Sequence, residues 1–188
     1  VTQYTARLVK RMADVPADAW DACANPGGAS EFNPFLSHAF LSALEESGSV
    51  SAKTGWAPQH LLLEDGHGGL LGAVPMYLKQ HSYGEYVFDH SWAHAFERAG
   101  GEYYPKLQVS VPFTPATGRR LLVRAGESEP VIRSALAQAA IKIAGRAGVS
   151  SLHFTFLPKA ECDVLSDAGY LLRTDQQFHW TNNQYTDF

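Results

Sequence analysis

One loop, residues 113–120, contains the side chains best suited to bind an anionic group. It carries two hydroxyls and two guanidinium groups within a few positions. Arginine binds phosphate and carboxylate in bidentate geometry, and a glycine permits close approach of a ligand to the backbone. We therefore predict a substrate-binding role for Thr114, Thr117, Gly118, Arg119 and Arg120. The alternative is a rigid connection between strands whose arginines are solvated.

A second candidate site is the segment that begins at Asp89 and His90. His90 and His94 are four residues apart, so they would share one face of a helix. Such a pair can bind a metal, but no third ligand is apparent, and we predict no metal site. We predict instead that Asp89 or His90 is catalytic and accepts a proton as a general base. The alternative is the polar face of a surface helix.

Two further pairs are candidate binding residues. Tyr103 lies in a region rich in aromatic residues, with Lys106 beside it, and rings with one cation suit a pocket for a sugar or peptide. Packing in the core and at the edges of strands is the alternative for these two residues. Asn33 and His38 flank a helix start, where helix capping is the alternative to substrate binding.

These residues need a scaffold, and the hydrophobic pattern predicts an α/β (α+β) protein. The predicted order is β-α-α-β-β-(α)-β-α-β-α-β, which favours one mixed, mostly antiparallel sheet flanked by helices. The clearest signals are the turn at Asp65–Gly69 between two strands, and the helix from Glu129 to Ala147. The predicted strands are 6–12, 58–64, 70–79, 103–111, 151–157 and 170–180, with a short strand at 121–123 that this order does not count. The other predicted helices are 16–23, 37–47, 92–98 and 159–168.

Length and composition limit the class of protein. The chain has 188 residues, of which 45% are hydrophobic, so we predict a single domain over residues 1–180. We interpret residues 181–188 as a tail or the start of a linker. The net charge of −4 does not favour binding to DNA. Without a signal peptide or a long apolar stretch, we predict no transmembrane segment and a cytoplasmic location.

Several short strings of the sequence resemble a bacterial family described as peptidoglycan biosynthesis or recognition proteins. Together they extend over nearly the whole chain. The strings are residues 33–38, 44–48, 55–60, 83–89, 103–107, 111–115 and 178–180. That family is placed among the GNAT-like acyltransferases and is related to the Fem-type peptidyltransferases, which add amino acids to cell-wall precursors.

The resemblance implies the GNAT-like acyl-CoA N-acyltransferase fold and transfer of an acyl or aminoacyl group to an amine. The acceptor would be a small molecule or a peptidoglycan precursor. Acetyl-CoA or another acyl donor would be a co-substrate, with no tightly bound cofactor. Family members carry two GNAT-like halves, so the chain would be the N-terminal half and its partner a C-terminal GNAT-like half. Any role for tRNA would involve only the full-length protein.

The segment before the predicted long helix departs from the usual donor loop of GNAT enzymes. That loop is glycine-rich and holds a pyrophosphate at a helix N-terminus. Here residues 124–130 contain one glycine, and Glu127 and Glu129 would repel phosphate. The sequence therefore leaves a second function open, that of a noncatalytic ligand-recognition module that kept the fold and lost the donor site.

Overall fold

The computed structural model describes residues 4–27, 32–87, 89–176, 178 and 180–187. These residues form a mixed α/β structure. The strands are β1 (Thr5–Val9), β2 (Trp56–Pro58), β3 (His60–Glu64), β4 (Leu70–Val74), β5 (Met76–Lys79), β6 (Lys106–Val109), β7 (Leu122–Val123) and β8 (Leu152–Phe154). The helices are α1 (Ala17–Ala24), α2 (His38–Glu46), α3 (His90–Arg98), α4 (Glu129–Ala147) and α5 (Lys159–Asp167). Short 3₁₀ turns lie at Met12–Asp14, Pro34–Leu36 and Ala52–Thr54.

The strands form two four-stranded sheets, where the sequence predicted one. The first has the order β1-β3-β4-β7 and the second β2-β5-β6-β8. All pairings are antiparallel except that of β6 with β8, which confirms the predicted mixed, mostly antiparallel pattern. The predicted hairpin is present but runs through both sheets, and each of its strands is interrupted once, at Gln59 and at Pro75. Proline cannot donate a ladder hydrogen bond, which accounts for the second interruption.

Helices cover both faces of the first sheet, as predicted. Leu61 and Leu63 of β3 pack with Ile132 and Leu136 of α4 in one hydrophobic cluster. Leu62, between them, packs in a separate cluster with residues of α1 and α2. Side chains alternate along a strand, so this almost continuous apolar run supplies both layers of the core.

The structure confirms both predicted ends of α4, whereas the last predicted strand is absent from the described residues. Helix α4 begins at Glu129 and ends at Ala147 as predicted, with Pro130 in its first turn and Gly148 in the left-handed conformation at φ 63°. The predicted strand 170–180 is wrong, because none of its described residues is in a strand. Leu171 is 97% exposed there. The apolar alternation predicted a strand, but a strand also needs a partner strand, and the described residues of this segment have none. Gln177 and His179 lie outside the described residues.

Candidate functional site

Strand β6 has one apolar face and one buried polar face. Leu107 and Val109 belong to the core, whereas Lys106, Gln108 and Ser110 point to the opposite side and are also buried. The Gln108 amide donates to Thr155 Oγ1 at 3.1 Å. Its oxygen and the Ser110 hydroxyl have no partner among the described residues. Buried polar atoms are usually hydrogen-bonded, so this face of the second sheet is not ordinary core.

The neighbouring strands extend this polar face. In the antiparallel register Lys79 of β5 lies opposite Lys106, and Tyr77 lies opposite Gln108. In the parallel register His153 of β8 lies next to Gln108. Burial, and then the charge of Lys106, lowers the pKa of His153 to about 4, so its ring is neutral at neutral pH.

A long segment covers the lysine end of this face. Neighbouring antiparallel strands are commonly joined by about 2–5 residues, but β5 and β6 are joined by residues 80–105, which we call the β5–β6 excursion. Within its described residues it contains α3. It also supplies Glu85, Asp89 and Tyr103, all of which are buried.

The excursion and the two strands meet in a buried charge cluster of Lys79, Glu85, Asp89, Tyr103 and Lys106. Lys106 Nζ lies 2.8 Å from Glu85 Oε2 and 2.6 Å from Asp89 Oδ2. The Tyr103 hydroxyl donates to the same Asp89 oxygen at 2.9 Å. Lys79 Nζ is 3.9 Å from Glu85 Oε1. With the lysines and carboxylates ionised, the cluster is neutral overall, which lowers the energetic penalty of burying it.

The cluster perturbs its members in different directions. Burial lowers the pKa of Lys79 to about 7, against the opposing charge of Glu85. The Lys79 ammonium lies 3.4 Å from the centroid of the Trp56 ring and donates to the Tyr83 carbonyl at 3.2 Å. Burial acts to raise the pKa of Asp89, but the hydrogen bond and charge of Lys106 outweigh it and hold that pKa below its ordinary value. Asp89 is therefore ionised at neutral pH, and Lys79 is near its own midpoint.

The structure brings together three of the predicted site residues and separates a fourth. Asp89, Tyr103 and Lys106 are directly hydrogen-bonded in the cluster. His90, next to Asp89 in sequence, is exposed at the first position of α3. His94 is also exposed and lies in an open groove of about 640 Å³ with Ser91, Glu97 and Arg98. Among the described residues no group of histidine, cysteine and acidic side chains could hold a metal ion.

A second region contains other predicted binding residues. Residues 32–35 and 116–119, together with Pro158, line an open groove of about 490 Å³, which we call the loop groove. Asn33, Thr117, Gly118 and Arg119 therefore lie together, although Asn33 is far from the others in sequence. Thr114 lies outside the lining, and its hydroxyl donates to the Pro112 carbonyl at 3.1 Å.

The two arginines of the predicted binding loop differ in environment. Arg119 lines the loop groove and donates from Nη2 to the Ala24 carbonyl at 2.6 Å. Arg120 is fully buried and donates to the carbonyls of Arg119 at 3.0 Å and Ala116 at 2.8 Å. Burial lowers the pKa of Arg120 to about 10. Arg120 thus stabilises the loop through hydrogen bonds to its carbonyls, whereas Arg119 is the arginine at the surface.

The helix start at Ser37 uses Asn33 and His38 in its local structure. Asn33 Oδ1 accepts a hydrogen bond from the Phe35 N–H at 3.1 Å, which confirms capping at the Pro34–Leu36 turn. His38 Nε2 lies 2.9 Å from the Met12 carbonyl and 3.0 Å from that of Val15. His38 therefore connects α2 to the segment after β1, and its ring is not part of the loop groove lining.

The segment before α4 has no feature of a phosphate cradle. Arg124 Nη2 pairs with Glu127 Oε1 at 2.7 Å within the segment itself. Glu129 lies in the first turn of the helix, where it offsets the positive end of the helix dipole. A pyrophosphate there would face an acidic side chain and an arginine that is already paired.

Sequence reasoning missed Lys79, Glu85 and His153. Lys79 could have been found from the predicted hairpin and the strand that follows it, because antiparallel register sets it opposite Lys106. Glu85 lies in an irregular segment, and His153 depends on the parallel pairing of β6 with β8. No sequence signal identifies either.

The comparisons with known proteins give a family. A model of the FemAB-like family, described as peptidoglycan biosynthesis/recognition, matches residues 11–188. The chain therefore belongs to this family, whose members are generally transferases. No curated protein matches the chain. Among the described residues, none of the helices has the length and apolar character needed to cross a membrane.

Proposed function

We propose that this FemAB-like chain is the GNAT-like domain of an N-acyltransferase or aminoacyltransferase whose acceptor is an amine of a cell-wall precursor. The observation that carries the proposal is the family match over residues 11–188. The family implies partners related to peptidoglycan precursors. We further propose that acetyl-CoA or another acyl donor is a co-substrate, and that a C-terminal GNAT-like half completes the enzyme.

The proposed reaction needs positioning and one proton acceptor. The amine nitrogen attacks the carbonyl carbon of the donor, an N–C bond forms, and the C–S or C–O bond to the donor breaks. The amine loses a proton to a base, and the departing sulfur or oxygen gains one. No enzyme nucleophile is required, because holding the two substrates together supplies much of the rate enhancement. A general base contributes typically about 10²–10⁴-fold.

Asp89 is the better supported of the two predicted proton acceptors. Lys106 and Tyr103 both contact its Oδ2, whereas its Oδ1 has no partner among the described residues. The lowered pKa keeps it ionised at neutral pH. Asp89 is buried, so the β5–β6 excursion must move for a substrate to reach it. His90 is exposed and has no orienting carboxylate in the cluster.

The test is a transfer assay on the natural full-length protein. The donors are labelled acetyl-CoA and aminoacyl-tRNA, and the acceptor is a soluble peptidoglycan precursor with a free amine. We expect Asp89→Asn to lower the rate about 10²–10⁴-fold. Asp163→Asn, on the exposed face of α5, should leave the rate unchanged. Transfer with neither donor would contradict the proposed function.

A second variant separates catalysis from folding. The Tyr103 hydrogen bond lowers the pKa of Asp89, so Tyr103→Phe should raise it and move the acidic limb of the pH–rate profile to higher pH. A stable Tyr103→Phe protein with an unshifted limb would rule out Asp89 as the base. A stable Asp89→Asn protein with full activity would do the same.

The alternative is a noncatalytic ligand-recognition module. The observation that favours it is the segment before α4, where Glu127 is paired with Arg124 and Glu129 occupies the first turn. In that case the protein binds the precursor but gives no product with either donor. Titration of the precursor beside the transfer assay distinguishes the two functions.

A further inference from the structure

We infer that the loop groove binds an anionic group, a phosphate or a carboxylate, on an acceptor whose sugar ring packs against Phe32 and Phe35. The inference rests on the proposed function for the nature of the acceptor. In this inference the loop groove recognises the acceptor, and the buried charge cluster supplies the proton acceptor. The loop groove combines a positive charge, unused hydrogen-bond donors and an exposed apolar wall.

The described residues that line the loop groove carry a positive charge. Arg119 is the one charged residue among these described lining residues, although the chain as a whole has a net charge of −4. The nearby carboxylate of Glu161 is buried and accepts from the backbone N–H groups of Arg120 and Leu121. Glu161 therefore supports the loop from inside and is not available to occupy the groove.

Unused hydrogen-bond donors converge on the same place. Arg119 donates once, to the Ala24 carbonyl, and its other N–H groups have no protein acceptor in the described part of the chain. Asn33 uses its side-chain oxygen at the Pro34–Leu36 turn, which leaves its NH₂ without a partner among the described residues. The exposed Thr117 hydroxyl has none there either. Guanidinium, amide and hydroxyl groups together are a common set for phosphate or carboxylate.

Gly118 permits this convergence. A Cβ at Gly118 would lie 2.7 Å from Asn33 Nδ2 and 3.2 Å from Arg120 Nη1. The absent side chain therefore lets the Asn33 amide and the buried Arg120 guanidinium approach the loop backbone closely. Arg120 Nε is buried and has no partner among the described residues. The charge of Arg120 interacts with the buried Glu161 carboxylate, so Arg119 is the cation that attracts an anion in the loop groove.

Aromatic residues form the apolar wall of the loop groove. Phe32 is 69% exposed, and Phe35 is held by an edge contact with Phe40, with ring centroids 5.5 Å apart. An exposed ring beside a cation and amide donors suits a ligand with both an apolar face and a charge. A sugar that carries a phosphate or carboxylate has this chemistry.

Calorimetric titration tests the inference with three probes. N-acetylmuramic acid is a sugar with a carboxylate, N-acetylglucosamine is its neutral counterpart, and inorganic pyrophosphate is an anion without a sugar. We expect an anionic probe to bind more tightly than the neutral sugar, and its affinity to fall as salt rises. Preference for the acid or for pyrophosphate identifies the carboxylate or the phosphate as the group recognised.

Variants locate the binding site. Arg119→Gln should lower the affinity for the anionic probe about tenfold or more. Arg119→Lys should retain part of that affinity. Thr117→Ala, at an exposed position, should lower the affinity for the anionic probe severalfold without affecting the fold. Arg146→Gln removes the same charge from the exposed last turn of α4 and should have no effect.

Each result decides the inference separately from the proposed function. Equal binding of all probes, no saturable binding, or full affinity in a folded Arg119→Gln protein overturns the loop groove assignment. If transfer activity persists in that case, the proposed function stands and only the groove assignment fails. Binding that depends on Arg119 but gives no transfer product supports the groove and favours the recognition module.

Discussion

Replacing Lys106 with methionine should destabilise the protein strongly, because it leaves two carboxylates buried without their main partner. Lys106 Nζ contacts Glu85 at 2.8 Å and Asp89 at 2.6 Å, and the three side chains are only 1–2% exposed. Removal of one partner from a buried ion pair typically costs about 3–5 kcal/mol. For a chain of this size, 1 kcal/mol corresponds to about 2–4 °C in Tm, so we expect a fall of roughly 6–20 °C.

Urea unfolding followed by tryptophan fluorescence measures this change, and its pH dependence tests the cause. The pKa of Asp89 is lowered in the folded wild-type protein, so its contribution to stability is present above the ordinary aspartate pKa. That contribution is lost as the pH falls through the lowered folded-state pKa. The difference between the wild type and Lys106→Met should therefore become smaller in acid.

A matched lysine provides the control. Lys159 also forms an ion pair, at 2.9 Å from Asp163, but both side chains are exposed. Exposed pairs of this kind contribute little, so Lys159→Met should leave the unfolding midpoint unchanged. If Lys106→Met behaved like Lys159→Met, or if its effect did not depend on pH, the buried cluster would not be the source of stability that its geometry indicates.

Two further predictions concern the second sheet and the core. The pKa of Lys79 is about 7 in the folded protein, below its ordinary value, so the unfolded state binds more protons between these values. The Lys79 contribution to stability should therefore rise from about pH 7 towards pH 10, and Lys79→Met should abolish this rise in urea titrations across that range. Gly72→Ala should destabilise by about 1–3 kcal/mol, because its Cβ would lie 2.8 Å from both Ile132 Cγ2 and the Leu122 carbonyl. Gly145→Ala is the control, since its Cβ meets nothing within 4 Å, and it should stabilise α4 by up to about 1 kcal/mol. Equal effects of the two glycine substitutions would contradict the described packing.

Local signals in the sequence were enough to predict most of the elements. The boundaries of α4 follow from Pro130 and Gly148, which act through local backbone conformation. The turn between β3 and β4 follows from Asp65, whose carboxylate accepts from the backbone N–H groups of His67 and Gly69. Both features depend on interactions between residues that are close in sequence, so the sequence alone is enough to predict them.

Predictions that required a distant partner were less successful. The predicted strand at 170–180 has the right alternation but no strand beside it in the described residues. Asp89, Tyr103 and Lys106 were each selected by residue type, but their meeting depends on how the excursion folds back on β6. Arg119 and Arg120 are the same residue type at adjacent positions, so the sequence does not distinguish them, although Arg119 is at the surface and Arg120 is buried.

By itself the sequence determined the α/β class, the family and the residue types available for acid–base and anion chemistry. The class and the residue types depend on periodicity, local turns and composition, which are properties of neighbouring residues, whereas the family follows from the resemblance of short sequence strings. The tertiary structure alone decided that the hairpin passes through two sheets, that Lys79 lies opposite Lys106, and that Asn33 meets Gly118. The pKa values depend on burial and on charges from distant segments, and these arise only when the chain is folded.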